Sequence, residues 1–210
     1  MKKNKMMRIA SVLLIAVLMT TCAISGTFAK YVTSAEGSDT ARVAKWGVTI
    51  TANGDMFKTN YDNTAISSVA EENIVAPGTS GDLVAMTLSG TPEVKVEVSY
   101  EADLVLTGWK YDTEDYCPIV FTVGTTEIKM DATNNTLAKL EKAVEAAIEA
   151  YTAEYNANVN LATYGETPVV SWSWAYDGED VKDTLLGNAA AAGNASTIKL
   201  TITTTVTQVD

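Results

Sequence analysis

Four acidic side chains lie within seven residues near the C-terminus, and they are the first candidates for binding chemistry. They are Asp177, Glu179, Asp180 and Asp183, in the run D-G-E-D-V-K-D. Carboxylate oxygens are the ligands that calcium prefers in proteins. The spacing departs from that of an EF-hand loop, and acidic turns are often simply solvated. The pattern therefore allows either a calcium site or an acidic bend without a ligand.

Two tryptophans are the second candidates. Trp172 and Trp174 alternate with small residues in the run V-S-W-S-W-A-Y, so they share one face of a predicted strand. Paired Trp rings can stack on a sugar, but large aromatic side chains in this phase more often belong to a core. Both interpretations stay open at this point, and the core is favoured.

Catalytic chemistry has little support in the sequence. The chain contains no histidine, which excludes H-E-x-x-H zinc sites and mechanisms of the Ser-His-Asp or Cys-His type. Ser196 and Lys199 form an S-x-x-K match, but residues three apart on a strand face opposite sides. We therefore expect no enzyme and no cofactor except the possible calcium ion. A hydrolase that uses an unrecognised pair of carboxylates remains an alternative.

The N-terminus has the pattern of a secretory signal. Four basic residues within residues 1–8 precede an apolar run at Ile9–Met19, and Thr27 and Ala29 fit the small-x-small rule for signal peptidase. We expect cleavage after Ala29, so residues 1–29 are the signal peptide and no stable membrane span remains. Cys22 leaves with the signal, so Cys117 cannot form an intrachain disulfide and is expected to be a small buried hydrophobe.

Charge and size limit the class of protein that follows the signal. Residues 30–210 carry all 26 acidic residues and 11 of the 15 basic ones, a net charge of −15. This charge disfavours nucleic acids and anionic membranes as partners. A chain of this length can bury one sizeable core without disulfides, so we expect a single exported domain at 30–210.

The first residues after the predicted cleavage point are mostly small and polar. Residues 30–41 contain few side chains that could anchor them to a core, with Lys30, Tyr31 and Val32 at their start. We predict that this segment, here called the arm, is flexible. From Ala44 to Ile50 apolar and other residues alternate, which predicts that the first core strand follows the arm directly.

Most of the remaining pattern has the period of two that is typical of strands. The clearest predicted strands are at 94–106, 119–123, 170–176 and 198–206. Between them, residues 134–157 have helical spacing, with Leu140, Val144 and Ile148 on the apolar face and a ladder of glutamates that we expect to be solvated. The predicted fold is all-β, a jelly-roll-like antiparallel β-sandwich with one inserted α-helix, preceded by the signal helix.

Four segments together resemble the camelysin/TasA-like family of exported proteins. They are G-T-F-A-K-Y-V, A-R-V-A-K-W, A-P-G-T-S-G and the stretch W-S-W-A-Y-D-G-E-D with D-T-L-L-G. The resemblance implies processing by a SipW-dependent type of signal peptidase, a jelly-roll fold and a role in surface or biofilm-matrix fibres. It also implies that the arm pairs with a neighbouring subunit. The metallopeptidase activity given to some members is not transferred, because the chain lacks histidine.

The sequence thus predicts a secreted, Gram-positive-type structural protein of the cell surface or extracellular matrix. Its expected partners are further copies of itself in a filament, other matrix proteins, and signal peptidase during export. The alternative from a different class is a secreted calcium- or carbohydrate-binding adhesin, which the acidic bend and the Trp pair suggest.

Overall fold

The computed structural model describes residues 11–15, 42–52, 54, 56–62, 64–69, 72–84, 86–176 and 179–210. Residues 1–43 and 44–210 form two compact units. In the first unit, the described residues 11–15 are helical and are called α1. The predicted cleavage residues Thr27 and Ala29, the arm and Asp177 lie outside the described residues. No helix found among the described residues has the length and apolar character needed to cross a membrane.

The described residues of the second unit form mainly antiparallel strands, together with three helices. The strands are β1 Thr49–Ala52, β2 Asn60–Tyr61, β3 Ala65–Ile66, β4 Ser80–Val84, β5 Met86–Ser89, β6 Val96–Thr107, β7 Lys110–Tyr111, β8 Glu114–Asp115, β9 Ile119–Val123, β10 Thr126–Ile128, β11 Ala153–Tyr155, β12 Val169–Trp174 and β13 Thr197–Gln208. The helices are α2 Leu137–Glu149, α3 Leu161–Tyr164 and α4 Asp180–Ala191. The predicted all-β class is confirmed at this level.

Two sheets contain most of the strand residues that the structure describes. One has the strand order β10-β9-β12-β4 and the other has the order β11-β6-β13. Smaller two-stranded sheets are formed by β1 with β5, β2 with β3, and β7 with β8. The β6–β13 pair runs over twelve residues of each strand, from Thr107 opposite Thr197 to Val96 opposite Gln208.

The core joins alternate residues of both larger sheets with one face of α2. Val98 and Leu104 from β6, Phe121 from β9 and Trp172 from β12 are all 2% exposed or less. Helix α2 buries Leu140, Val144 and Ile148 completely, as the helical spacing predicts. Thr136 caps this helix by accepting a hydrogen bond from the backbone N–H of Lys139.

Helix α2 is shorter than the predicted insertion at 134–157. It ends at Glu149, and Ala153–Tyr155 instead pairs with Val96–Val98 as strand β11. The side chain of Tyr155 continues the apolar helical spacing, but its backbone completes a sheet edge. Main-chain pairing with β6 therefore outweighs the local helical pattern.

The predicted first core strand is wrong over most of its length. Pairing begins only at Thr49, and all four residues of β1 are exposed. Gly47 has a φ of +56°, a left-handed conformation that interrupts an extended strand. Trp46, expected in the core, is 41% exposed.

The prediction of a single inserted helix is also wrong, because the Ala/Gly/Asn-rich stretch after the acidic run is helical. Helix α4 has Asp180 and Asp183 in its first turn, where carboxylates interact favourably with the helix dipole. Alanines with high helix propensity form its last turn. Gly193, with a φ of +84°, follows the helix end in the conformation that commonly terminates helices.

Candidate functional site

Strand β13 is an edge strand, and among the described residues it pairs with β6 alone. The directions in which the main-chain groups of β13 point can be inferred from the hydrogen bonds of its neighbour β6. The N–H groups of Tyr100, Leu104 and Leu106 point away from β13, so the odd-numbered residues of β6 bond to it. The even-numbered residues of β13, from Ile198 to Gln208, therefore direct their main-chain N–H and C=O groups toward the open edge.

The inward face of β13 is covered less completely than that of β6. The apolar side chains Ile198, Leu200, Ile202 and Val206 are partly buried against the core. The β6 residues opposite three of them, Leu106, Leu104 and Val98, are buried. The side-chain oxygen of Thr204 on the same face is buried and has no hydrogen-bond partner among the described residues. The core thus ends at β13 with a row of side chains that a further strand could cover.

The outward face of β13 does little to protect the edge. It contains Lys199 and otherwise five exposed threonines: Thr197, Thr201, Thr203, Thr205 and Thr207. Proline, multiple charges and bulges are the usual devices that keep an edge strand from pairing with another chain. Strand β13 has no proline and one charged residue in twelve, so it is long and weakly protected.

Both ends of β13 are fixed to the rest of the sheet. Near its start, Trp109 donates its indole N–H to the carbonyl oxygen of Thr197 at 2.9 Å, and Ser196 donates its hydroxyl to the Gly108 carbonyl at 2.9 Å. Just beyond its end, the N–H of Val209 donates to Lys95 O at 3.1 Å. The open edge is therefore a preformed strand.

A cleft of about 780 Å³ lies beside the start of β13. It is lined by apolar residues that include Phe57, Ile66, Trp109, Trp174, Leu186 and Ile198. Ile198 is also the first residue whose main chain faces the open edge. Ile198 therefore belongs both to the lining of the cleft and to the edge strand.

The described acidic residues of the run, Glu179, Asp180 and Asp183, lie at the start of helix α4. Asp183 accepts hydrogen bonds on both carboxylate oxygens, from the Tyr116 hydroxyl at 2.9 Å and from the Trp174 indole at 3.2 Å. Glu179 pairs with Lys182 at 2.8 Å, and Asp180 is exposed at the start of α4. Among the described residues no three Asp, Glu or Cys side chains converge in a way that could hold a metal ion.

The two tryptophans are core residues, which decides between their two interpretations. Trp172 and Trp174 are 2% and 5% exposed. The indole of Trp172 donates to the Met56 carbonyl at 2.8 Å, and its ring lies 5.3 Å from that of Phe57. Their broad faces are covered by protein and do not present a sugar-stacking platform.

Cys117 has the environment of a structural residue. It is 3% exposed, and burial raises the pKa of its thiol to about 12. The reactive species of cysteine is the thiolate, which such a pKa suppresses at neutral pH. The structure thus agrees with the prediction of a small buried hydrophobe.

Sequence reasoning missed the role of two glutamates on α2. Glu141 and Glu145 were expected to be solvated, but they are half-buried and accept N–H bonds from Leu106 and Leu104 of β6 at 2.7 and 3.0 Å. Each follows a fully buried residue, Leu140 or Val144. That placement at the border of the apolar face was the available signal.

Comparisons with protein-family models, with curated proteins and with solved structures give no match to this chain.

Proposed function

We propose that this chain is an exported, non-enzymatic structural protein, a subunit or accessory of a cell-surface or biofilm-matrix fibre. Its protomers assemble by β-strand addition after the signal peptide is cleaved. The observation that carries this proposal is the open edge of β13, with six residues whose main-chain groups point outward. An extended segment that adds to such an edge gains main-chain hydrogen bonds along its whole length.

The arm of a second copy is the occupant that fits this edge best. The arm, residues 30–41, and β13 are both twelve residues long. The arm contains no proline, so every residue can take part in a ladder. Tyr31 and Val32 would supply apolar side chains to the half-covered row of β13 or to the adjacent cleft, and Lys30 follows the predicted cleavage point directly.

The geometry of this contact favours a filament. An arm at one end of the chain and an acceptor edge elsewhere make a heterologous contact, which repeats without closing unless the rotation happens to form a ring. The net charge of −15 opposes association at low ionic strength. Salt or divalent cations should therefore accelerate assembly by screening that charge.

The same proposal includes a finer description of the fold. In a jelly-roll-like β-sandwich the two larger sheets would face each other across a shared core. In support, buried residues of both sheets, such as Val98 and Leu104 from β6 and Phe121 and Trp172 from the other sheet, belong to one hydrophobic cluster. Sandwiches of this kind have open edge strands, which is where strand addition takes place.

The experiment compares secreted protein with two variants by negative-stain microscopy. N-terminal sequencing first checks that the secreted protein begins with Lys30. Deletion of Lys30–Thr40 removes the arm, and Thr204→Pro removes an N–H that points to the open edge without removing a β6–β13 hydrogen bond. We expect filaments from the parent and folded, unassembled protein from both variants.

Thr203→Ala is the matched control, because its side chain is exposed and its main chain faces β6. This variant should form filaments like the parent. Filaments from the arm deletion at the parental rate would overturn the proposal, provided that circular dichroism shows both proteins to be folded.

A further inference from the structure

On the side of β6 opposite β13, side chains take the place of a neighbouring strand beyond the short pairing with β11. Strand β11 pairs only with Val96–Val98, which leaves the rest of β6 without a neighbour on that side among the described residues. The N–H of Tyr100 donates to the Thr152 hydroxyl at 3.2 Å. Those of Leu104 and Leu106 donate to Glu145 and Glu141.

The geometry of helix and strand explains why these two glutamates accept hydrogen bonds from N–H donors at alternate residues of β6. Four residues of an α-helix rise about 6 Å, and two residues of a strand rise about 6.7 Å. Carboxylates at Glu141 and Glu145, one helical turn apart, therefore match N–H groups two residues apart on β6. The pairing runs in opposite directions, since the later glutamate reaches the earlier strand residue.

The position of α2 is fixed independently of these contacts. Leu140, Val144 and Ile148 are completely buried beneath the helix, so the glutamates project from an anchored element. Hydrogen bonds from N–H groups to ionised carboxylates are also stronger than those between neutral groups. Glu149, the next residue of the ladder, is exposed and ends the helix.

We infer that Glu141 and Glu145 close the β6 edge against strand pairing, so that this sheet offers a second copy of the chain one edge only, at β13. An unpaired N–H row is a template for another strand, and the glutamates occupy that row at Leu104 and Leu106. Growth by one edge produces a chain of protomers, whereas two open edges would allow sheets to merge laterally. The biological consequence rests on the proposed function, but the closure itself is a property of the single protomer.

The test uses secreted protein without Lys30–Thr40, so that the arm does not contribute. In the double variant Glu141→Ala/Glu145→Ala, the amide protons of Leu104 and Leu106 should exchange with solvent faster than in the parent. Sedimentation should also show a mass that rises with protein concentration. The parent should remain monomeric under the same conditions.

Two controls separate edge closure from loss of charge. Glu141→Gln/Glu145→Gln loses the same two charges but keeps a side-chain oxygen that can accept each N–H, and it should behave like the parent. Glu149→Ala removes a glutamate of the same ladder that makes no hydrogen bond to β6. This variant should also behave like the parent. Equal association of the Gln and Ala double variants, or unchanged exchange in the Ala variant, would overturn the inference.

If the double Ala variant does not fold, the single variant Glu145→Ala tests the same inference. In that variant the Leu104 amide should exchange faster than in the parent, and the Leu106 amide should not. Filament formation is not scored in any of these measurements. The exchange and sedimentation results would therefore still test edge closure if arm-dependent assembly did not occur.

Discussion

The indole N–H of Trp174 donates to Oδ2 of Asp183 at 3.2 Å, which joins the end of strand β12 to the first turn of helix α4. The other carboxylate oxygen of Asp183 accepts from the Tyr116 hydroxyl. A residue that looked like a metal ligand in the sequence therefore satisfies two polar groups beside the core. The carboxylate of Asp183 thus links the first turn of α4 to β12 and to Tyr116.

Replacing Asp183 with Ala should lower the free energy of unfolding by about 1–3 kcal/mol, because the indole and the phenol lose their shared acceptor. Urea denaturation measures the change. Asp180→Ala, at an exposed position in the same turn, should cost less. A calcium-dependent rise in the melting temperature of the parent that is absent in Asp183→Asn would instead restore the calcium-site interpretation.

Asp115 links the β7–β8 hairpin to the start of α2 and should make stability depend on pH. Its Oδ2 accepts the Leu137 N–H at 3.0 Å. This bond, aided by Lys110, holds the pKa of Asp115 below its ordinary value of 3.8. A lowered folded-state pKa stabilises the protein above pH 3.8, and that contribution is lost as the pH falls through the folded-state value.

We therefore expect Asp115→Ala to reduce stability by about 1 kcal/mol at neutral pH, as for loss of a helix cap. The difference from the parent should shrink as the pH is lowered below 3.8. Denaturation at a series of pH values tests this, with exposed Glu114→Ala as the control. A difference that stays constant through the acid range would refute the assignment.

Val144 tests whether α2 is part of the core. It is completely buried, so Val144→Asp should destabilise the chain by several kcal/mol through burial of an unpaired charge. Ala146→Asp, exposed on the same helix, should cost less than about 1 kcal/mol from helix propensity alone. Similar denaturation midpoints for these two variants would mean that the helix does not pack as described.

Thr204 offers a stabilising substitution. Its buried hydroxyl oxygen has no partner among the described residues, and valine has nearly the same shape without the polar group. Thr204→Val should therefore raise the free energy of unfolding by about 1 kcal/mol. Thr203→Val, on the exposed face, should change it little. A loss of stability in Thr204→Val would show that the hydroxyl is satisfied, for instance by water.

The predictable parts of the fold are the elements whose apolar spacing alone determines which face is buried. The alternation along β6 and β13 and the spacing of Leu140, Val144 and Ile148 each correspond to a face that is buried against the core. The predictions are wrong where a backbone conformation or pairing with a strand distant in sequence overrides the local pattern. The conformation of Gly47 displaces the first strand, and pairing with β6 shortens α2.

The candidate site was less predictable than the fold. Period-two alternation identifies a strand but not its position in a sheet, so the open edge of β13 could not be inferred from its residues. Glu141 and Glu145 resemble any solvated glutamate until the β6 N–H groups beside them are known. The phase of Trp172 and Trp174 on their strand favours core positions, and the structure agrees.

The β6–β13 ladder, the longest among the described residues, also determines when folding can finish. Every residue pair between β6 and β13 joins positions 90 or more apart in the chain, from Thr107 with Thr197 to Val96 with Gln208. Contacts of such high sequence separation form slowly. At a synthesis rate of about 5–20 residues per second, β13 is synthesised on the order of ten seconds after β6. The chain therefore stays incompletely folded until β13 has been synthesised.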